Sequence, residues 1–424
     1  MAQKRRVVIT GLGAVAPNGI GKDAYWDGLV NGRSGIRRIT RFDASEFPCQ
    51  IAGEVVDFQP AAYIDPHEVK RLSRVSQFAL VAARMAVDDS GIQITLKNGR
   101  LIGVCFGASA GKGEIFESDH LAFLERGVRG IHPLAHNQFH PHSVSSRIAI
   151  QIGASGVCGS VATGCTSGLD ALNWGYEQIC QGRVEAVVVG SAEALLSPFA
   201  FATICAAGVL SKSHMSRNNT APEKSPRPFD LHRDGLVLSE GAVAVILETL
   251  EHAEERDADI YAEVLGYATA RGGDDMIRCD LSGTDMARVM DIALYCSHLP
   301  MSRIDYINAH GVGLRDYDAA ETAAIKAVFG EYAYHIPVSS IKSMIGQPFA
   351  AGGSLQIVAS CLTLQHGRIP PTINYDTPDP ACDLDYVPNH ARTARIRTLL
   401  VHAHGLGGTD SAVVLGKSGL RWEA

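Results

Sequence analysis

Short apolar runs alternate along this chain with longer stretches of helical periodicity, and that alternation restricts the fold more than any other feature. Val7–Thr10, Leu101–Phe106, Ala186–Gly190, Ala242–Leu247, Ile304–Ala309 and Leu399–His402 read as buried strands. Between them, Arg74–Ser90, Gly168–Gln181, Asp285–Ser297, Asp318–Phe329 and Gly353–Gln365 repeat their apolar residues with a helical period. Apolar strands separated by helices predict an α/β protein whose sheets are covered on both faces. At about 100–200 residues per domain, 424 residues suit two domains or two fused halves. An internal repeat supports halves. The segment 161–172 (VATGCTSGLDAL) has a counterpart at 338–356 (VSSIKSMIGQPFAAGGSLQ), and 7–19 (VVITGLGAVAPNG) has one at 261–273 (YAEVLGYATARGG). A boundary near Leu250 gives halves 1–250 and 251–424. No low-complexity linker separates them, so they are expected to pack tightly.

Composition removes several classes of function. Hydrophobic residues make up 46% and charged residues 20%, ordinary values that argue against disorder. The net charge of −7 supplies no basic field for nucleic acid, although a local basic patch could still receive an acidic partner. Arg71, Arg74 and Arg147 are candidates for such a patch. Ten cysteines without a CxxC pair argue against structural zinc and against a disulfide scaffold. The basic start, Met-Ala-Gln-Lys-Arg-Arg, precedes an apolar run too short for a signal peptide. No stretch reaches the ~18–20 apolar residues of a membrane span. A soluble protein of a reducing cytoplasm is expected.

Three motifs mislead. Gly11-Leu-Gly13-Ala-Val-Ala16 has dinucleotide-binding spacing, but Pro17-Asn18-Gly19 signals a turn where a helix should start, so a plain loop is expected. Gly107–Gly113 hints at a phosphate loop, but Gly113 stands where magnesium needs Ser or Thr. His132, His136, His140 and His142 have metal-face spacing, but Pro133 and Pro141 break the helix, so a packed loop without metal is expected.

Cys165 is the residue best placed for chemistry. It lies in Val161-Ala-Thr-Gly-Cys-Thr-Ser-Gly168, among small residues that allow close approach, at the start of a helical pattern. The helix N-terminus there favours a thiolate and predicts a lowered thiol pKa. The local sequence also fits a small buried residue in a tight turn. A nucleophile needs partners. His310 and Lys342 each end a strand before a Gly-containing turn, and Gly405-Leu406-Gly407-Gly408 forms a Gly-dense turn able to bring a backbone N–H close to a reacting oxygen. Spacing alone does not show that these segments meet.

Together the segments resemble the β-ketoacyl synthase family, the condensing enzymes of fatty-acid and polyketide synthesis. The likeness runs from VVITGLGAVAPNG through SRIAIQIGASG, TGCTSG, RPFDLHRDGLVLSEGAVAVILE, INAHGVGL, SSIKSMIGQ and PPTINY to GLGGTD. It implies a thiolase-type fold of two duplicated α/β halves in five αβαβα layers, usually dimeric. It implies Cys165 as the acyl-accepting nucleophile, His310 as the first active-site histidine, Lys342 as the lysine that organises the site and Glu321 as a buried supporting acid. The backbone N–H groups of Cys165 and Leu406 would form the oxyanion hole, supported by Gly405, Gly407 and Gly408. Leu406 falls at the gatekeeper. The substrates would ride on the phosphopantetheine arm of an acyl carrier protein, with no other cofactor.

Four positions depart from that family's pattern. The second histidine, five residues after the lysine, is Gln347; an amide can donate a hydrogen bond but cannot carry charge or shuttle a proton. Val312 and Leu314 replace two threonines expected to bond the pantetheine, at roughly 1 kcal/mol per lost hydrogen bond. The gatekeeper loop has Leu406 for Phe, with His404 at the preceding aromatic position, so Val312, Leu314, His404 and Leu406 are expected to line an altered substrate channel. Gly164 replaces Ala before the cysteine. The reading expected is an acyl-carrier-dependent decarboxylative condensation in polyketide or specialised fatty-acid synthesis, by a homodimer or a heterodimer with a related subunit. A non-elongating acyltransferase and a chain-length partner subunit are the alternatives.

Overall fold

The computed structural model describes residues 5–109, 113–212, 221–272 and 279–419. Ten principal strands form one continuous sheet in two sets of five. The first set is β1 (Val7–Ala16), β2 (Ile102–Gly107), β3 (Cys158–Val161), β4 (Ala186–Glu193) and β5 (Gly241–Thr249), in the order β3-β2-β4-β5-β1. The second is β6 (Ala262–Arg271), β7 (Ile307–Asn308), β8 (Val338–Ser339), β9 (Thr398–Gly405) and β10 (Thr409–Gly416), in the order β8-β7-β9-β10-β6. Each set has the same directions: β2 is parallel to β3 and β4, as β7 is to β8 and β9, and the remaining pairs are antiparallel. The sets join where Val8 and Ile9 of β1 pair with Glu263 and Ala262 of β6. The repeat in the sequence is therefore a repeat of topology.

Five helices complete the layers: α1 (Arg74–Ser90), α2 (Ser167–Cys180), α3 (Thr284–Ser297), α4 (Arg315–Phe329) and α5 (Ala350–His366). α1 covers β1 and β5 on one outer face; α3 covers β6 and β10 on the other, with α4 beside it. α2 and α5 pack against each other between the two sets of strands, giving the five-layer α/β arrangement of the thiolase type. Every residue of α5 from Ala350 to Leu364 is buried, as a helix of Ala, Gly, Ser and aliphatic residues in a middle layer must be. The two central helices meet at Gly168, where a Cβ would stand 2.3 Å from Ser354 Oγ and 2.7 Å from Ala350 O.

Several expectations change in the structure. β1 does not end at Thr10 but runs on to Ala16, so the Gly11–Ala16 motif is strand rather than loop. Its glycines admit α1: a Cβ on Gly13 would lie 2.0 Å from Ala82 O. Gly13→Ala is expected to cost about 3 kcal/mol, because a backbone oxygen cannot swing aside; a lowered urea midpoint with an unchanged slope would show it. The strand expected over Ile304–Ala309 contracts to Ile307–Asn308, and β10 was not anticipated. The histidine run is not a packed loop. It spans a short helix (Ala135–Phe139) and the start of another (His142–Ile152), with His136, His140 and His142 exposed and ring against ring. Residues 110–112 of the phosphate-loop motif, and Gly273 of the internal repeat, lie outside the described residues. Among the described residues no His, Cys, Asp and Glu group could hold a metal, and no helix is long and apolar enough to cross a membrane.

Candidate active site

The duplicated strand–turn–helix junctions face each other across the middle layer and build the site. After β3, the turn Gly164–Thr166 carries Cys165 into α2. After β8, the short helix Lys342–Ile345 and the following turn carry Lys342 and Gln347 toward α5. His310 follows β7, and the β9–β10 hairpin brings Gly405–Gly408 over the cysteine. A Cβ on Gly405 would stand only 3.5 Å from Cys165 N, so the turn lies against the cysteine's own backbone N–H. Gly407 and Gly408 turn the hairpin with φ of 98° and 76°, a conformation that side chains with a Cβ rarely adopt.

The sulfur of Cys165 is buried and receives the Leu406 N–H and the Gln347 side-chain amide. Burial nonetheless pushes its thiol up to about 11, with those two donors and the Lys342 charge pulling it back only in part. This reverses the lowered pKa expected from the helix N-terminus: desolvation outweighs the dipole. At neutral pH the Cys165 side chain therefore rests as a thiol.

Lys342 is fully buried, and its Nζ donates to Gln356 Oε1 at 2.8 Å. Burial brings its ammonium down to about 8 against the opposing pull of Glu321. Gln356 in turn donates to the carbonyls of Ala309 (2.8 Å) and His402 (3.0 Å), tying α5 to the strand ends beneath the site. His310 is held well below the usual imidazole range by burial first, then by the Lys342 charge, His404 and His402, so it is neutral. Its Nδ1 has no hydrogen-bond partner among the described residues, and neither has Gln347 Oε1.

Glu321, on α4, organises the surroundings. Its carboxylate accepts the backbone N–H groups of His310 (2.7 Å) and Gly311 (2.8 Å) and the Nδ1–H of His402 (2.6 Å). Asp318, one turn earlier, accepts the N–H groups of Val312 (3.0 Å) and Phe229 (2.8 Å). It lies 3.7 Å from the buried guanidinium of Arg233. Val312 and Leu314 pack in one apolar cluster with Cys165, Phe349 and Leu406, which fits an apolar wall to a channel. A cleft of about 740 Å³ opens beside it, lined in part by Leu314, Tyr317, Arg233, Arg315 and Cys279. The His404 ring is held in place by its Nδ1–H, which donates to Asp410 Oδ1 at 2.7 Å.

Sequence reasoning missed His402, Asp410, Gln356, Asp318 and Arg233. For the first two a signal existed. His402 and His404 are two residues apart on a strand and share a face, and Asp410 lies directly opposite His404 in the hairpin register. Asp170 was also missed. It accepts hydrogen bonds from Tyr267 and Ser411 (each 2.5 Å) and from Thr166 (3.0 Å), bracing the turn before Cys165 against the second set of strands. The proposed basic patch does not form: Arg74 pairs with Glu240 at 2.6 Å and Arg71 with Glu68 at 3.6 Å, while Arg147 lies beside Asp65 and Glu68 on a surface cleft.

A buried thiol, a neutral imidazole, a buried ammonium and a Gly-rich N–H turn, all at the junction of two duplicated halves, define a condensing acyltransferase of the thiolase type. Family models for the N-terminal and C-terminal domains of beta-ketoacyl synthase match residues 4–253 and 261–376. The chain is 44% identical over 418 residues to a putative polyketide beta-ketoacyl synthase 1 of Streptomyces halstedii, covering 97% of this chain and 98% of that one. It superposes with a TM-score of 0.90 and 35% identity on a type II polyketide ketosynthase solved with its acyl-carrier protein and a bound hexaketide, covering 98% of this chain and 100% of that one. The ishigamide ketosynthase/chain length factor gives a TM-score of 0.90 at 34% identity, with the same coverage. The chain belongs to the beta-ketoacyl synthase family.

Proposed function

We propose that this enzyme takes an acyl group from a carrier-protein thioester onto Cys165 and extends it by decarboxylative condensation with a malonyl-type unit in polyketide assembly. The single observation that carries this reading is the convergence on one buried sulfur of the Leu406 N–H, the Gln347 amide and the Lys342 charge. Loading exchanges thiol for thiol: Cys165 S–C forms, the arm's S–C bond breaks, and the proton of Cys165 ends on the arm's sulfur. The N–H groups of Cys165 and Leu406 hold the tetrahedral oxyanion, a role worth about 3–4 kcal/mol per donor in such sites. Glu321 positions His310 through the backbone, and Lys342 supplies positive charge near both. The substrate's phosphopantetheine arm enters through the cleft beside Leu314 and Tyr317. The relatives' printed partners support an acyl carrier protein as donor and a second copy or a ketosynthase-like subunit as dimer mate.

Gln347 favours one second reading, acyl transfer without elongation. Intact-protein mass spectrometry after incubation with a panel of acyl-carrier thioesters separates the two. The proposal expects an acyl adduct on Cys165, then CO₂ release and a β-ketoacyl product once malonyl carrier is added. An adduct without CO₂ release would establish the second reading, and no adduct from any carrier thioester would overturn both.

A further inference from the structure

Gln347 is neutral and already directs its amide N–H at the cysteine sulfur, yet a histidine wired to a carboxylate stands nearby. His404 sits on β9 opposite Asp410 on β10, and its Nδ1–H donates to Asp410 Oδ1 at 2.7 Å. His402, also on that face, lies with Nε2 3.5 Å from the same oxygen, an ion-pair distance. Both imidazoles hold the Asp410 carboxyl below its usual range against the opposing effect of burial. The other nitrogen of His404 is the informative atom: Nε2 is buried, and it has no hydrogen-bond partner among the described residues. A buried polar atom left without a partner is costly and calls for an explanation.

The ring's neighbours say what could satisfy it. His404 stands edge-on to Tyr317 with centroids 4.8 Å apart and to His310 with centroids 6.2 Å apart. Tyr317 lines the wide cleft, and His310 feels the same Lys342 charge as Cys165. His404 therefore occupies the ground between the entrance and the reacting centre, on the strand that leads into the Leu406 turn. An acyl or malonyl thioester entering by the cleft brings its carbonyl oxygen through that region.

We propose that His404, oriented by its hydrogen bond to Asp410, is a catalytic imidazole of this enzyme that donates from Nε2 to the thioester oxygen of the malonyl unit. It takes the proton-bearing role that an amide at 347 cannot fill. The inference rests on the elongating function proposed above. In the step it serves, the bond between the malonyl α-carbon and its carboxylate breaks, CO₂ leaves, and the electron pair becomes that of the enolate. The His404 N–H holds the enolate oxygen. The α-carbon then attacks the acyl carbonyl on Cys165, the C–S bond breaks with its pair to sulfur, and one proton from the medium restores the thiol. With Nδ1–H engaged by Asp410, donation from Nε2 requires a second proton on the ring, and the Asp410 carboxylate faces the charge it brings.

The test measures two half-reactions on the full chain: acyl loading of Cys165 by mass spectrometry and CO₂ release from malonyl carrier protein. His404→Phe is expected to lower CO₂ release about a hundredfold relative to loading, and Asp410→Asn about tenfold. His404→Phe combined with Gln347→His is expected to regain most of the lost CO₂ release, because an imidazole donor returns to the site at position 347. The inference is overturned if His404→Phe releases CO₂ within threefold of wild type. It is overturned equally if both single variants lose loading and CO₂ release in parallel, which would mark the dyad as scaffolding. Wild-type enzyme that loads but never releases CO₂ would instead defeat the elongating function itself, so the two failures are distinguishable.

Discussion

Replacing Cys165 by alanine is expected to abolish acyl loading, with a loss of at least ~10⁴-fold, because no other group in the site can form the thioester. The remaining cysteines make poor substitutes. Cys49 and Cys105 are sealed in the core with thiols pushed up to about 12 by burial, and Cys361 lies fully buried in α5. Cys158 is exposed on β3 but has none of the donors gathered at 165. Intact mass spectrometry should therefore show one acyl adduct in wild type, none in Cys165→Ala, and one in Cys158→Ala. An adduct that survives Cys165→Ala would show that another residue accepts the acyl group. The fold should tolerate this substitution, since alanine is smaller and the sulfur accepts rather than bridges any backbone contact.

The second large effect is on stability against pH. Burial alone would lower the His402 imidazole, but Asp410 and Glu321 together raise it from 6.5 to about 9. A base raised on folding stabilises fully below its unfolded value and loses that contribution as pH rises through the folded one. The advantage of wild type over His402→Gln is therefore expected to shrink by roughly 3 kcal/mol between pH 6.5 and pH 9.5. Comparing the two proteins is necessary because Lys342, brought down to about 8 by burial, contributes with the opposite sign. Glu321 acts at the other end of the scale. Its partners hold it below 4.5 despite burial, so its contribution is present above that pH and is lost in acid. Urea denaturation of both proteins at several pH values reads the difference directly, and a pH-independent gap would contradict the His402–Glu321–Asp410 arrangement.

The parts of the site legible in the sequence are those marked by local grammar. Cys165, His310, Lys342 and Leu406 each end a strand or open a turn beside glycines, because a reacting group needs room for a substrate and a backbone that can bend. Helix ends were also legible: Arg74–Ser90 was read to the residue, since Ser73 caps its start and Gly91 its end. Residues whose importance comes from burial and cross-strand register were not legible. Asp410 matters because it lies opposite His404, and Gln356 because one turn of a buried helix passes under Lys342. Short strands such as Val338–Ser339 give too few residues for an alternation to show. The thiol's high pKa was missed because a helix N-terminus is visible in sequence and complete desolvation is not.

The doubled topology has one more consequence. The sulfur stands on a junction built by the amino-terminal set of strands, while the imidazole, the ammonium and the Leu406 turn all come from the carboxy-terminal set. Either set alone would be an inert scaffold, with a thiol lacking an activator or an activator lacking a thiol. Reactivity is thus a property of their seam, and it can arise only after both have folded and docked along the central pair of helices.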